Sequence, residues 1–366
     1  MKGGSRMITS AYVHVPFCRS ICAYCDFARW MYQEETAWEW LRQLEREAAE
    51  KIQAPLTTLY IGGGTPNALT AAQLEALLAL FDRHHAPGME FTLEANPEYI
   101  DDTFLSICAR HGVNRLSIGV QSFEEGLLRR MNRSHDAAQI EAAIARARAH
   151  GIENLSIDLI YGLPGQTLDM WLADLQKATA LPITHISLYS LTIEENSAFG
   201  RMGVLAADDE LEYQMYAAAI DDLRAHGFIQ YEVANFARNQ AVSRHNLVYW
   251  HYEDFHGIGC GASGKRPQGR YDNTRSLQRY LKEGPCEEWT PLSVEEQMFE
   301  AVMMGLRLRE GIDLERFAGQ YHKRLEDHFS TALQKHLGND LVIEDGFLKT
   351  SEQGKFLLHD ILVDFL

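Results

Sequence analysis

The chain has 366 residues, with 34 basic and 51 acidic side chains and a formal net charge of -17. Nucleic-acid phosphates are bound by clustered Lys and Arg, so this acidic balance argues against a nucleic-acid partner. No run approaches the roughly 18 apolar residues that cross a bilayer, which leaves only peripheral membrane contact open. The 46% of hydrophobic residues is enough to bury one large core and a smaller one.

The arrangement of the six cysteines indicates a reducing compartment. Three of them are clustered, and the other three, Cys108, Cys260 and Cys286, are scattered, so they do not form a disulfide framework. No N-terminal apolar stretch resembles a signal peptide. The sequence therefore predicts a cytoplasmic protein.

Short β-rich runs alternate with longer amphipathic stretches along most of the chain. The predicted strands are residues 11–15, 57–61, 90–95, 115–120, 155–161 and 184–188. The predicted helices are residues 35–52, 71–83, 102–111, 137–150, 169–179 and 208–226.

Six successive strand–helix units imply an α/β fold with a parallel sheet and right-handed crossovers. Most of the polar motifs follow the C-terminal end of a strand, which is the catalytic rim of a β/α barrel. We therefore predict an incomplete parallel (β/α)6 barrel over residues 7–235 rather than an open doubly wound sheet. An irregular extension or linker follows over 236–290. Residues 291–366 are predicted to form a small, mostly helical C-terminal domain.

Cys18, Cys22 and Cys25 lie within eight residues of one another. This spacing presents three thiolates to one iron–sulfur cluster. Electron-transfer clusters normally take four cysteines, so three thiolates indicate that one iron is left open for a substrate or cofactor.

A glycine triplet at the end of one predicted strand and single carboxylates within two others are further candidate site features. Gly62, Gly63 and Gly64 end a strand, where they allow the backbone to approach a ligand, although a tight βα turn is the alternative. Glu94 and Asp158 are carboxylates in otherwise apolar strands, where an unpaired charge costs several kcal/mol. Their partner is either a ligand or, in a structural salt bridge, Arg115 or Arg133.

The motifs together resemble the radical S-adenosylmethionine (SAM) superfamily, in the branch that contains the oxygen-independent coproporphyrinogen oxidase and the heme chaperone HemW. The resemblance covers nearly the whole chain. It rests on residues 12–25, 61–66, 94–97, 117–123, 132–135, 158–164, 191–194, 245–250 and 257–261.

This resemblance implies a [4Fe-4S] cluster on Cys18, Cys22 and Cys25, with the free iron chelated by the amino and carboxylate groups of SAM. Reduction of such a cluster cleaves the sulfonium to methionine and a 5′-deoxyadenosyl radical. The resemblance to the family assigns no catalytic residue. The further cofactor contacts that it implies are Tyr12, Tyr24, Gly63, Gly64, Thr65, Glu94, Gln121, Arg133 and Asp158.

Two departures favour the chaperone branch. Phe27 stands where the oxidase has a further cysteine, and the chain has no long N-terminal arm before its first strand. The implied function is to bind heme and transfer it to apo-hemoproteins, with a cluster-dependent homodimer as an accompanying expectation. The alternative is an oxygen-independent coproporphyrinogen III oxidase, or another radical SAM enzyme that acts on a tetrapyrrole.

The predicted heme ligand is His245, which precedes Tyr249 and Trp250 in a motif proposed for heme binding in this branch. An imidazole can ligate iron, and the two aromatic side chains offer flat apolar area to a porphyrin. The alternative is a hydrogen-bonded histidine among core aromatics. Ser263 stands where chaperones usually have a histidine, and Cys260 is a weaker candidate ligand.

The predicted C-terminal domain resembles a winged-helix-like unit that covers the barrel in relatives. We expect it to gate access to the site or to dock a client protein. Met303 and Met304 form either an adaptable partner surface or part of the core of this domain.

Overall fold

A computed structural model describes residues 7–366, so the segment before Met7 lies outside the described residues. The six predicted strands form within a few residues of their expected bounds, and they pair in parallel. The α/β class is confirmed. The strands are β1 (Ser10–Val15), β2 (Leu56–Gly63), β3 (His85–Ala95), β4 (Arg115–Gln121), β5 (Asn154–Tyr161) and β6 (His185–Ser190).

One long helix follows each of these strands, as predicted, and most begin at a side-chain cap. Thr70 and Asp136 form capping boxes with Gln73 and Gln139, which satisfies free N–H groups in the first turn. The helices are α1 (Glu34–Lys51), α2 (Ala71–Ala79), α3 (Asp102–Arg110), α4 (Ala137–Ala149), α5 (Leu168–Ala180) and α6 (Asp209–Ala225).

The α2–β3 connection differs most from the prediction. Helix α2 ends four residues early, and a 3-10 turn over Asp82–His84 leads directly into β3. Pro87 and Gly88 lie where the β2–β3 register shifts. A bulge absorbs them, because extra residues there leave the pairing after Glu90 intact.

Within residues 7–366 the sheet has nine strands, because residues 229–258 add short strands at both edges. His256–Ile258 pairs in parallel with β1, and Asn235–Ala237 pairs antiparallel with β6 and with Ile229–Gln230. The same region forms helix α7 (Arg244–Trp250), which is capped by Ser243. The six long strands keep their sequential order, as in a β/α barrel.

Short elements complete this part of the chain. The paired strands Phe17–Cys18 and Trp30–Met31 flank the cysteine motif. The remaining ones are helices Glu125–Arg130, Ala198–Arg201 and Leu277–Glu283, 3-10 turns Pro66–Ala68 and Pro97–Tyr99, and the antiparallel strands Ser263–Arg266, Gly269–Asp272 and Glu288–Pro291.

The large hydrophobic core lies between the sheet and its helices. Its largest fully buried side chains include Trp40 of α1, Phe91 of β3 and Trp171 of α5. Burying each such side chain stabilises the fold by roughly 1.5–3 kcal/mol. No helix within residues 7–366 is long and apolar enough to cross a membrane.

The C-terminal residues form a second, smaller core. Met298, Phe317, Leu333 and Leu348 are among its buried side chains. Its elements are α8 (Val294–Gly305), helices Leu314–Tyr321, Leu325–His328, Ser330–His336 and Leu358–Val363, the 3-10 turn Gly354–Leu357, and strands Ile312–Asp313, Leu341–Glu344 and Phe347–Thr350.

Backbone hydrogen bonds join this second unit to the barrel. The N–H of Val233 donates to Arg307 O at 3.1 Å, and the N–H of Arg309 donates to Tyr231 O at 2.9 Å. The Tyr252 hydroxyl also donates to Glu300 Oε2 at 2.6 Å. The connection therefore fixes α8 next to α7.

His336 lies between two carboxylates in the smaller unit. Asp340 and Asp364 lie 2.8 Å and 2.7 Å from its ring nitrogens. Burial lowers the pKa of His336, but these two carboxylates outweigh that effect and raise it above its usual range. Its stabilising contribution is fully present below about pH 6.5, the unfolded value, and is lost as pH rises through the raised folded pKa.

We therefore expect His336→Gln to lower the melting temperature most near pH 6, with a difference from wild type that shrinks above the raised pKa. Thermal unfolding followed by circular dichroism between pH 5.5 and 8.5 measures this difference. The exposed His359 provides the control variant His359→Gln. A pH-independent difference would show that His336 acts by packing alone.

Candidate functional site

A cavity of ≈ 1190 Å³ lies at the C-terminal ends of the six long strands. Single small-molecule pockets usually have about 300–1,000 Å³, so this one has room for more than one ligand. All predicted site residues except His245 line it. These are Tyr12, Cys18, Cys22, Tyr24, Cys25, Gly63, Gly64, Thr65, Glu94, Gln121, Arg133 and Asp158.

The cysteine loop is held from both sides. The Ala23 N–H donates to Met131 O at 3.0 Å, and the Phe199 N–H donates to Ala23 O at 2.9 Å. The Thr65 hydroxyl donates to Cys18 Sγ at 3.5 Å, and Arg133 Nη1 donates to Cys22 Sγ at 3.6 Å. The thiols are therefore positioned before any metal binds.

The three thiols fit a cluster better than a single metal ion. Within residues 7–366, no group of three or more His, Cys, Asp or Glu side chains is arranged around one ion. A cubane cluster binds each thiolate through a different iron, so its ligands do not meet at one point. Burial raises the pKa of Cys18 to about 11 and also raises the pKa of Cys25, so binding iron releases protons.

Arg29, which the sequence did not single out, folds over the same loop. Its guanidinium donates to the carbonyl oxygens of Cys25 and Phe27. The Nε atom of Arg29 is buried and has no partner. The positive charge counteracts the effect of burial on the pKa of Cys18 and Cys25.

The glycine turn forms a cradle that no other residue type fits. A Cβ atom at Gly62 would overlap the Glu94 carboxyl group, and one at Gly63 would overlap the His14 imidazole. Gly63 also has a φ of +104°, in the region that favours glycine. These close approaches are to the protein's own side chains, so they agree with a tight βα turn, and the role of the glycines toward a ligand stays a prediction.

Glu94 and Asp158 face the cavity without forming a salt bridge to Arg115 or Arg133. Glu94 accepts hydrogen bonds from the Tyr60 hydroxyl at 2.8 Å and from the Gly63 N–H at 2.9 Å. Burial, and then the charge of Asp158, raise the pKa of Glu94 to about 7. Burial also raises the pKa of Asp158. Two buried carboxyl groups without a salt bridge suit a cationic ligand.

Gln121 and Arg133 lie together at the end of β4. Gln121 has a φ of +67°, and the pairing with β5 shifts there, so a bulge turns its side chain toward the cavity. Arg133 donates to Gly119 O, and its Nε atom is buried without a partner. Both residues therefore leave donor groups available to a ligand.

His245 lies behind the cavity wall. Its side chain is fully buried, its Nδ1 shares a hydrogen bond of 2.9 Å with Thr58 Oγ1, and its Nε2 shares one of 2.8 Å with the Tyr249 hydroxyl. Burial lowers the pKa of His245 to about 3. Direct ligation of iron by His245 would break at least one of these bonds. Tyr249 and Trp250 themselves line the cavity.

Five other positions named from the sequence have defined surroundings. Phe27 lines the cavity and is 65% exposed, and Ser263 lines it while donating to Asp272. Cys260 is buried away from the cavity, where its thiol donates to Thr274 O at 3.2 Å and burial raises its pKa to about 12. Met303 packs against the smaller core, whereas Met304 lines the cavity.

Comparisons with known proteins agree with this geometry. Residues 12–178 match the model of the radical SAM superfamily, and residues 292–357 match that of the HemN C-terminal domain. The chain is 38% identical to the heme chaperone HemW of Bacillus subtilis, over 96% of this chain and 95% of that one. It is 33% identical to the heme chaperone HemW of Escherichia coli, over 98% of both chains.

A solved structure shows the same fold. The coproporphyrinogen III oxidase HemN of Escherichia coli superimposes with a TM-score of 0.84, covering 97% of this chain and 89% of that one. The two sequences are 23% identical, so the match concerns the architecture.

The cysteine geometry predicts which thiols retain iron. We expect Cys18→Ser, Cys22→Ser and Cys25→Ser each to lose most of the bound iron after anaerobic reconstitution, because a hydroxyl is a poor substitute for a thiolate. Cys286→Ser is the control, since Cys286 is half-buried outside the cavity. Iron and sulfide analysis measures the effect. Wild-type iron content in all three loop variants would contradict the assignment.

Proposed function

The chain belongs to the HemW family of the radical SAM superfamily, and from this membership we propose that it binds heme and transfers it to apo-hemoproteins. The observation that supports this most strongly is its near full-length similarity to heme chaperones from several bacteria. A [4Fe-4S] cluster and SAM accompany this function. Free cysteines agree with the proposed reducing, cytoplasmic setting.

We further propose that Cys18, Cys22 and Cys25 each bind one iron of the cluster, and that SAM chelates the fourth. Bound there, the pair supplies one-electron cleavage of a sulfonium. Gly63 and Gly64 line the cavity, and we assign them to the amino-acid part of SAM. The other proposed contacts are Tyr12, Tyr24, Thr65, Glu94, Gln121, Arg133 and Asp158.

Heme is proposed to bind against the aromatic part of the cavity wall. Tyr249, Trp250 and Phe255 line this part, and their rings offer flat apolar surface to a macrocycle. The indole Nε1 of Trp250 is a buried donor without a partner, which suits a carboxylate. Arg275, which also lines the cavity, adds a positive charge for the propionates.

The C-terminal unit, residues 291–366, is proposed to control access to this cavity or to dock a client. Met304 of α8 lines the cavity, whereas other apolar residues of this helix, such as Met298 and Val302, belong to the smaller core. The barrel is proposed to extend over residues 7–235, with 236–290 as its extension. A homodimer that depends on the cluster stays a prediction.

The carboxyl group of Glu94 predicts a pH dependence for SAM binding. With a pKa of about 7, Glu94 is mostly ionised at pH 8 and mostly protonated at pH 6. The ionised fraction therefore falls about tenfold between these values. Because the carboxylate attracts the cationic ligand, we expect the dissociation constant of SAM to rise about tenfold from pH 8 to pH 6.

Anaerobic calorimetry of the cluster-loaded protein measures this change, and Glu94→Gln provides the comparison. The titration of SAM itself contributes equally to both proteins. We expect the variant to bind SAM more weakly and to lose the pH dependence that is assigned to Glu94. An equal pH dependence in both proteins would mean that another group is responsible.

Heme binding and transfer test the proposed function directly. We expect the cluster-loaded protein to bind one ferric heme and to pass it to apomyoglobin. Trp250→Ala removes a half-buried aromatic face, so we expect about tenfold weaker heme binding, or about 1.4 kcal/mol. Trp289→Ala is the control, because Trp289 lies outside the cavity. Absorbance titration measures both.

Two results would overturn the proposal. One is the absence of saturable heme binding by the wild-type protein at micromolar concentrations. The other is conversion of coproporphyrinogen III to protoporphyrinogen IX under reducing, anaerobic conditions without stable heme binding, which would identify an oxidase.

A further inference from the structure

The glycine motif at residues 257–261 packs against the cysteine loop. Gly259 has a φ of +99° and Gly261 has a φ of +83°, so both lie in the region that favours glycine. A Cβ atom at Gly259 would overlap the carbonyl oxygen of His14, and one at Gly261 would lie 2.5 Å from the Cβ atom of Ala28. The motif therefore contacts the chain both before and after the three cysteines.

The motif belongs to a compact segment, residues 257–275, which we call the clasp. Its two ends are joined to each other. The Gly261 N–H donates to Thr274 O at 2.9 Å, and the Asn273 side chain donates to Gly259 O at 2.9 Å. Because of these bonds, neither end of the clasp can shift without the other.

A buried ion pair on α1 anchors the clasp. Glu47 is 3% exposed and accepts hydrogen bonds from the Gly259 N–H at 3.0 Å and from Asn273 Nδ2 at 2.7 Å. Lys51, one helical turn further along, lies 2.7 Å from Glu47 and donates to Gly257 O at 2.9 Å. Separating a buried ion pair leaves uncompensated charges, so this anchor resists displacement.

The far end of the clasp binds the backbone that follows the last cysteine of the loop. Arg275 Nη2 donates to Asp26 O at 2.7 Å, and Arg29 donates to the carbonyl oxygens of Cys25 and Phe27. Three successive carbonyl groups therefore each accept a hydrogen bond from a guanidinium. Hydrogen bonds from charged donors are roughly twice as strong as neutral ones, so the course of this backbone is fixed.

Cys25 depends on this backbone more than the other two cysteines do. The thiols of those two accept hydrogen bonds from the side chains of Thr65 and Arg133. Cys25 is held through its main chain, because its N–H donates to Cys22 O at 3.3 Å and its carbonyl oxygen accepts from Arg29. The position of the Cys25 thiol therefore follows the backbone that the clasp contacts.

We propose that the clasp positions Cys25 for the iron–sulfur cluster, and that the close packing of Gly261 on Ala28 is the contact through which it does so. This inference rests on the proposed binding of a [4Fe-4S] cluster by the three cysteines. Groups around the ligands of a metal centre orient those ligands, and hydrogen bonds and solvent exposure tune a cluster's properties. A shift of the clasp therefore changes how firmly the cluster is held.

The experiment measures iron release to a chelator from full-length, anaerobically reconstituted protein, and the electron paramagnetic resonance spectrum of the reduced cluster. Gly261→Ala sets a methyl group against that of Ala28, so we expect iron release at least about fivefold faster than in wild type, with altered g-values. Gly151→Ala is the matched control, because φ there is +82° and the added Cβ atom would meet open space. We expect it to release iron at the wild-type rate.

A size exchange separates the packing contact from backbone strain. Gly261→Ala combined with Ala28→Gly removes the opposing methyl group. We expect this double variant to release iron within about twofold of the rate of Ala28→Gly alone and to share its g-values. If it releases iron as fast as Gly261→Ala does, the contact with Ala28 does not hold Cys25 and the inference fails.

A further variant decides the matter even if Gly261→Ala does not fold. Arg275→Met removes the hydrogen bond to Asp26 O, so we expect iron release about threefold faster than in wild type. Arg279→Met is its control, since that side chain is 58% exposed and lies outside the cavity. An unchanged rate in Arg275→Met contradicts the role of the clasp.

Failure of this inference differs from failure of the proposed function. A wild-type protein that retains no iron after reconstitution contradicts the proposed cluster itself. Normal iron content with equal release rates in all variants contradicts only the role of the clasp.

Discussion

The parallel pairing of β1 with β2 is the constraint on which the site depends. It sets Val15 opposite Gly63, so the chain leaves both strands at the same edge of the sheet. The Gly64 N–H then donates to Val15 O at 2.7 Å, and the Thr65 N–H donates to Phe17 O at 2.8 Å. Through these bonds the glycine turn and the start of the cysteine loop form one unit, and neither can shift alone.

The interior near this edge is polar, which limits how the chain can pack. Buried carboxyl groups, phenols and imidazoles from neighbouring strands satisfy one another through directed hydrogen bonds, as between Tyr60 and Glu94. A buried polar group without a partner costs about 1–3 kcal/mol, so alternative arrangements are disfavoured. Arg115 is nevertheless buried with an unpartnered Nε atom. We have no physical account of that atom.

Much of this arrangement was predictable from sequence because periodicity and parallel topology are local or pairwise properties. Strands and helices followed from apolar spacing, and the strand ends then had to meet at one edge. The orientation of His245 was not predictable, since it depends on Thr58, 187 residues away in the chain. The position of Met304 in the cavity wall was not predictable either, because it depends on how the C-terminal unit packs against the barrel. The bulge at Gly88 was not predictable, because proline and glycine next to each other usually indicate a turn.

Strands β2 and β3 support both the part of the cavity next to the cysteines and the helix α7 that carries Tyr249 and Trp250. β2 contains both Thr58 and Gly63, and β3 contains both Glu90 and Glu94. At about 3.3 Å per residue, the members of each pair are roughly 13–17 Å apart on one rigid element. Both sides of the cavity therefore share the same supporting strands. Any coupling of binding affinity between the two sides would be reciprocal by thermodynamic necessity.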